Sequence, residues 1–294
     1  ALTAALFLLG AGSGILDLSM NAHALLVERA YGRSIMSSFH ASFSIGGGAG
    51  AAIGALAAGL VLSPTVHFSM LAAVLAVISI GAHRHLLHDE PEGAAAPLFA
   101  RPSGALVGLG VIAFCVLISE GAMADWSAVY LRRVLNADPA TAALGFAGFS
   151  VMMTAGRLLG DAAAHRFGPK GVVRGGAVIV AAGLGAGLLG DVPWVAIAGF
   201  TCSGLGLSCS FPLALGAAGK LGAAPRATSL AAVTTAGYTG FLVGPPVIGF
   251  VAEVSGLRVG LGLIALLALV TYGLAGRVEP VDTLIDSGAG TLSG

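Results

Sequence analysis

A chain of 294 residues that is 56% hydrophobic and only 10% charged cannot cover the surface of a soluble domain, which typically carries about 25% charged residues. Its formal net charge of zero gives no electrostatic footprint for nucleic acid. Cys115, Cys202 and Cys209 sit inside apolar runs without a C-x-x-C pair, so they read as small core residues and not as a disulfide or metal set.

A membrane-spanning helix needs roughly 17–25 apolar residues. Nine stretches qualify in chain order: 2–27, 35–61, 64–82, 105–131, 140–159, 172–189, 194–218, 227–252 and 257–275. Turn or charge signals separate them, among them Glu28-Arg29, Ser63-Pro64, Asp138-Pro139, Gly168-Pro169 and Pro225-Arg226. The fold class expected is an all-α, polytopic membrane bundle. Residues 1–88 form three helices, 89–103 a polar linker, 104–278 six helices and 279–294 a polar tail. With the first residue outside, eleven of the 14 basic residues fall at inside ends, and only Arg132, Arg133 and Arg258 fall outside. That excess places the linker and the C-terminus in the cytoplasm, with the bacterial inner membrane as the expected location.

Within the first segment, Ser13, Asp17 and Asn21 recur every four residues and share a face. Asp17 lies ten residues before Val27, about 15 Å from the cytoplasmic end and close to mid-bilayer. An acidic group at that depth is costly and marks a cavity, so Asp17 is the candidate carrier of a coupling proton and Asn21 a candidate substrate ligand. The second segment has two faces. Ser42, Gly46, Gly50, Gly54 and Ala58 make a small-residue ridge suited to close helix approach. His40 and Ser44 make a polar stripe and are candidate substrate ligands.

Further along, Glu120 lies about 24 Å from the start of the fourth segment and is a second candidate for proton coupling. Asp125, Trp126 and Tyr130 follow it as an expected aromatic belt, with Asp125 and the two adjacent arginines as an outer gate. In the fifth segment Ser150, Thr154, Arg157 and Asp161 share a face, and Arg157 with Asp161 is expected to form an inner gate ion pair. Pro212 is expected to break the seventh segment and Pro245-Pro246 to bend the eighth. Tyr238 is the candidate substrate ligand there. With Arg157 placed near the cytoplasmic end, no Lys or Arg is expected at mid-depth, which suits a small polar neutral solute.

Short motifs add a resemblance. Residues 156–176, GRLLGDAAAHRFGPKGVVRGG, resemble the cytoplasmic loop signature G-x-x-x-D-R-x-G-R-K of the major facilitator superfamily. Arg166, Gly168 and Lys170 match; the signature aspartate falls at His165, and Asp161 stands one turn earlier. GYTGFLVGPPVIGF (237–250) resembles that superfamily's Gly-Pro-rich helix, and residues 33–54 resemble its pseudo-repeat, with Arg33 on Arg226 and Gly47 on Gly240. GSGILDLSMN (12–21) resembles a motif of the fucose–proton symporter branch, in which an acidic residue precedes Asn by four. The resemblance implies a twelve-helix fold of two halves, of which nine helices are present and about three would precede Ala1. It also implies gating roles for Arg166 and Asp161.

The expected function is secondary active transport of a small polar solute by alternating access, as proton-coupled symport. The expected partners are a small-molecule substrate, protons and the lipid bilayer; no nucleic acid, no cofactor and no metal are expected, and the carrier should be a monomer. The alternatives are proton-antiport efflux of amphipathic compounds, an integral-membrane enzyme and an inactive truncated fragment. With only 6% aromatic residues the chain leans away from efflux. A catalytic reading would rest on His83, His85 and His88 with Asp89 and Glu90, which fall at a membrane exit. No G-x-x-x-x-G-K-[ST] stretch supports ATP-driven transport.

Overall fold

The computed structural model describes residues 2–87, 104–221 and 225–279. Among these the chain is helical throughout: α1 (Leu2–Tyr31), α2 (Met36–Gly59), α3 (Pro64–His83), α4 (Gly104–Arg133), α5 (Pro139–Leu189), α6 (Pro193–Leu207), α7 (Ser210–Ala218), α8 (Arg226–Ser255) and α9 (Leu257–Leu274). A 3-10 turn, Ala275–Val278, closes the described chain. The expected linker 89–103, residues 280–294 of the expected tail, and His88, Asp89 and Glu90 lie outside the described residues.

Helix starts follow local chemistry. Asp138 caps α5, its carboxylate accepting the N–H groups of Ala140 (2.9 Å) and Thr141 (3.1 Å), with Pro139 in the first turn where no donor is needed. Ser63 and Pro64 start α3 in the same way. The fifth and sixth apolar segments meet end to end in α5, where Gly168 turns the chain at φ 72° and ψ 154°. That region favours glycine, and Pro169 follows it. The seventh segment is broken into α6 and α7, as Pro212 requires. Proline has no N–H to give the carbonyl of Ser208, and the break falls at Ser208-Cys209.

Among the described residues, six stretches are long and apolar enough to cross a bilayer: Pro64–His83, Gly104–Arg133, Pro139–Leu189, Pro193–Ala218, Arg226–Ser255 and Leu257–Val278. Nine separate crossings were expected. Of the nine expected segments, the fifth and sixth are joined in α5.

The core lies among α4 to α9. Tyr130, Phe149 and Phe200 are its largest fully buried side chains, and Tyr130 meets Phe200 edge-on at 5.9 Å. Backbones approach closely where glycines permit. A Cβ on Gly204 would collide with the Phe149 carbonyl, and one on Gly240 with the Phe114 carbonyl. Among the described residues nothing stands against the ridge expected to pack on α2: Gly46, Gly50 and Gly54 have open space where a side chain would stand. α2 instead packs through its other face on α5 and α7, α1 leans on α8, and α3 buries none of its residues.

Candidate functional site

Seven polar side chains from α1, α2, α4, α5 and α8 converge, with Asn21, His40 and Arg157 buried, Asp17, Ser44 and Glu120 half-buried and Tyr238 45% exposed. Asn21 on α1 is fully buried; its amide donates to the Asp17 carbonyl one turn back at 2.9 Å and its own side-chain oxygen is left without a partner. Tyr238 on α8 lies within hydrogen-bonding reach of the Asp17 carboxyl, whose second oxygen is buried and unpartnered. On α2, His40 stands edge-on to Phe211 at 5.7 Å and buries Nε2 with no partner. Ser44, one turn on, bonds the His40 carbonyl at 3.1 Å.

Arg157 ties this cluster together. It is only 7% exposed; one guanidinium nitrogen donates to the Ser44 hydroxyl at 2.7 Å and another faces Glu120 Oε2 at 3.6 Å. Its Nε is buried and unpartnered. Glu120 is the seventeenth residue of the 30-residue α4, near the middle of that helix. Two expectations therefore change. Arg157 does not pair with Asp161 as an inner gate, and a guanidinium does sit at the level of the central carboxyls. The helical repeat placed Arg157 and Asp161 on one face but was blind to α4 and α2, which supply the better partners.

Asp161 has a different task. Its Oδ1 accepts the Ser37 N–H at 3.0 Å, and its Oδ2 accepts the Ser38 N–H at 2.8 Å together with the Ser38 hydroxyl. A carboxylate on α5 thus caps the N-terminus of α2, satisfying orphan amides and matching the positive end of the helix. A second tie lies alongside. Glu28, 3% exposed at the end of α1, accepts the N–H groups of Ile35 (2.9 Å) and Met36 (3.1 Å) and pairs with Lys220 at 2.6 Å. Arg29 adds a bond to the Gly219 carbonyl at 3.4 Å. α1 and α2 are thus bound to α5 and to the end of α7 at one end of the bundle. In the sequence Lys220 is only one of the eleven basic residues at inside ends; its pairing with Glu28 is set by how α1 and α7 pack.

The remaining candidates stand apart. Asp125 is exposed and forms no ion pair with Arg132 or Arg133. Its neighbours are not a belt: Tyr130 is fully buried and reaches the Leu188 carbonyl at 3.4 Å, while Trp126 donates to the Pro245 carbonyl at 3.0 Å. The ion pair found near that end is Arg258 with Asp191, at 2.6 Å. Arg166 is exposed and stacks over Phe167 at 5.5 Å, away from the α2–α5 junction. Among the described residues no group of three potential metal ligands comes together.

A helical membrane bundle with an ion-paired polar centre and a charged tie at one end defines a carrier class, and comparison with known proteins places it. Residues 109–288 match the family model of the Major Facilitator Superfamily. An uncharacterized MFS-type transporter of Yersinia pestis is 37% identical over 274 residues, covering 93% of this chain and 71% of that protein. An uncharacterized transporter of Sinorhizobium fredii is 33% identical, covering 93% and 73%, and the membrane protein MosC of Rhizobium meliloti is 30% identical, covering 91% and 64%. In fold, the chain is similar to the E. coli fucose:proton symporter FucP, with a TM-score of 0.59 and 19% identity over 74% of this chain. The match spans about half of that symporter, 55%. A second structure of FucP, in the outward conformation, matches with the same TM-score at 18% identity.

This chain belongs to the major facilitator superfamily. It is a multi-pass membrane protein and a secondary transporter, and the membrane-enzyme alternative falls away because the family consists of transporters.

Proposed function

We propose that the protein carries a small polar solute across the bacterial inner membrane by proton-coupled symport, as a monomer with a cytoplasmic C-terminus. The observation that supports this most is the set of buried polar atoms without a hydrogen-bond partner at the centre: Asp17 Oδ2, Asn21 Oδ1, His40 Nε2, Arg157 Nε and Glu120 Oε2, the last held only by its ion pair. A buried polar atom without a hydrogen-bond partner costs about 1–3 kcal/mol, so five in one cluster suit a solute that satisfies them on binding. Asp17 carries the coupling proton with Glu120 as the second carboxyl of the site. Asn21, His40, Ser44 and Tyr238 bind the solute.

In this reading the helices are nine of the twelve in a two-half carrier: 1–88 belong to the first half, 89–103 to the linker and 104–278 to the second half. The site lies between the halves. Alternating access then works by rocking one half against the other, closing one mouth as the other opens. On this reading the ties of Asp161 to α2 and of Lys220 to Glu28 join the halves at the cytoplasmic mouth and hold it closed. Asp161 is the gating residue there.

Counterflow tests the site without assuming a gradient. Proteoliposomes loaded with members of a panel of unlabelled polar solutes are screened for uptake of the labelled compound. A solute exchanged by the wild-type carrier should lose exchange in Asn21→Leu and His40→Phe. Undiminished exchange in both variants would remove these residues from the site.

A further inference from the structure

α8 holds a weak point with one side chain of α4 laid across it. The helix runs from Arg226 to Ser255 with Pro245 and Pro246 inside it. Neither proline has an N–H, so the carbonyls of Phe241 and Leu242 lose their donors and two successive rungs of the helix are missing. The freed Phe241 carbonyl faces α4 at Gly121, where an added Cβ would stand 3.1 Å from it. A helix bends most readily at such a point. The two parts on either side differ in what they touch. The inner part carries Tyr238, which reaches Asp17 of α1. The outer part packs on α9, where a Cβ on Gly260 would stand 3.0 Å from the Ile248 carbonyl.

Trp126 of α4 bridges the two parts. Its indole N–H donates to the Pro245 carbonyl at 3.0 Å, and its ring lies on Gly249, where an added Cβ would stand 2.8 Å from Cζ2. When the halves rock, the inner part of α8 changes its contact with α1 while the outer part stays with α9. Pro245 belongs to the bend itself, so its carbonyl turns with the bend, and a hydrogen bond weakens steeply as its angle closes. Trp126 is the twenty-third of the 30 residues of α4 and is only partly buried. At that outer end a released indole N–H finds water. A bond made in one state and lost in the other favours the state that has it.

We propose that Trp126 is a positioning residue of the transport cycle: its bond to Pro245 fixes the bend of α8 in the state closed to the cytoplasm and breaks when the halves rock to the other state. This rests on the reading of Asp161 and Lys220 as ties that close the cytoplasmic mouth, and it adds a control at the opposite end of the second half.

Spin labels on Arg33 and His165, exposed residues lining the cavity at the α2–α5 junction, read that mouth with no solute present. Trp126→Phe keeps an aromatic ring and removes the donor. It should raise the ratio of long to short distances by about two- to tenfold, the worth of one hydrogen bond. Pro245→Ala with Pro246→Ala restores both rungs and fixes the bend through the backbone, and in that background Trp126→Phe should leave the ratio unmoved. A part for Trp126 in stability alone would lower the melting temperature of Trp126→Phe with unchanged distances, and that result overturns the proposal. An equal shift with and without the prolines overturns the hinge. Raman spectra of the indole N–H give a second reading, which also decides the matter if Trp126→Phe fails to fold. Trp126 and Trp194 are the only tryptophans in the chain, so Trp194→Phe isolates the signal. The indole should be bonded to a carbonyl in this background and pass to a water-bonded form in step with the long-distance population when Asp161→Asn is added. Opened distances with an unchanged indole signal would refute the proposal. Distances that stay short in Asp161→Asn would instead remove Asp161 as a tie, while the Trp126→Phe distances still decide the part of Trp126.

Discussion

Replacing Asp161 by Asn perturbs the junction of α2 and α5 at a single group. The native carboxylate takes two backbone N–H groups, at 3.0 and 2.8 Å, and one hydroxyl. Asparagine keeps one acceptor and turns the other into an N–H₂ that faces donors. Losing a helix cap costs about 1 kcal/mol, and hydrogen bonds to a charged group are worth about 1.5–3 kcal/mol each. A net loss of about 2 kcal/mol from the closed state changes the ratio of closed to open molecules by about 30-fold. Spin labels on Arg33 and His165, both exposed and both lining the cavity of about 500 Å³ at this junction, report the separation by electron–electron distance measurement. The three free cysteines are replaced first. The wild type should give a short distance, and Asp161→Asn a growing long-distance population. An unchanged distribution would refute the assignment of Asp161 as a tie between the halves.

Three further outcomes are expected. Glu28→Ala leaves the Ile35 and Met36 amides without their acceptor, at a cost of about 1–3 kcal/mol, which a fall in melting temperature measures; Lys220→Met, which frees a half-exposed partner only, should cost less. Gly240→Val drives a side chain into the Phe114 carbonyl and should destabilise the α4–α8 contact by about 1–3 kcal/mol in the same assay, whereas Gly54→Val, at a site with open space around it, should not. At Asp138, hydrogen bonds from the Thr141 side chain and N–H hold the carboxyl below its ordinary value of 3.8. A lowered folded value means that its contribution is complete above 3.8 and disappears as pH falls through the folded value. Asp138→Ala should therefore weaken the protein near neutrality and match the wild type in strong acid, as melting curves against pH would record.

Hydropathy made most of the helices legible, because a helix in lipid must satisfy its backbone internally and must be apolar over its length. The local breakers were legible too: Gly168-Pro169 marks the turn inside α5, and Pro212 the gap between α6 and α7. Which helix each polar residue would meet was not. A repeat of four placed Arg157 beside Asp161, yet helix rotation gives Arg157 to Glu120 and Ser44 and gives Asp161 to the start of α2. The α2 ridge leaves its partner illegible for a related reason, since small residues permit a close approach without naming what makes it. Tyr130 was assigned to an interfacial belt from its place beside Trp126, whereas packing against Phe200 draws it into the core.

Accumulation under an imposed pH gradient tests the central claim most directly. For a solute that wild-type proteoliposomes exchange, uptake is followed with and without the gradient in the wild type and in Asp17→Asn. The account predicts gradient-driven accumulation in the wild type, and in Asp17→Asn exchange that continues without accumulation. Equal accumulation by the two proteins would contradict proton coupling through Asp17.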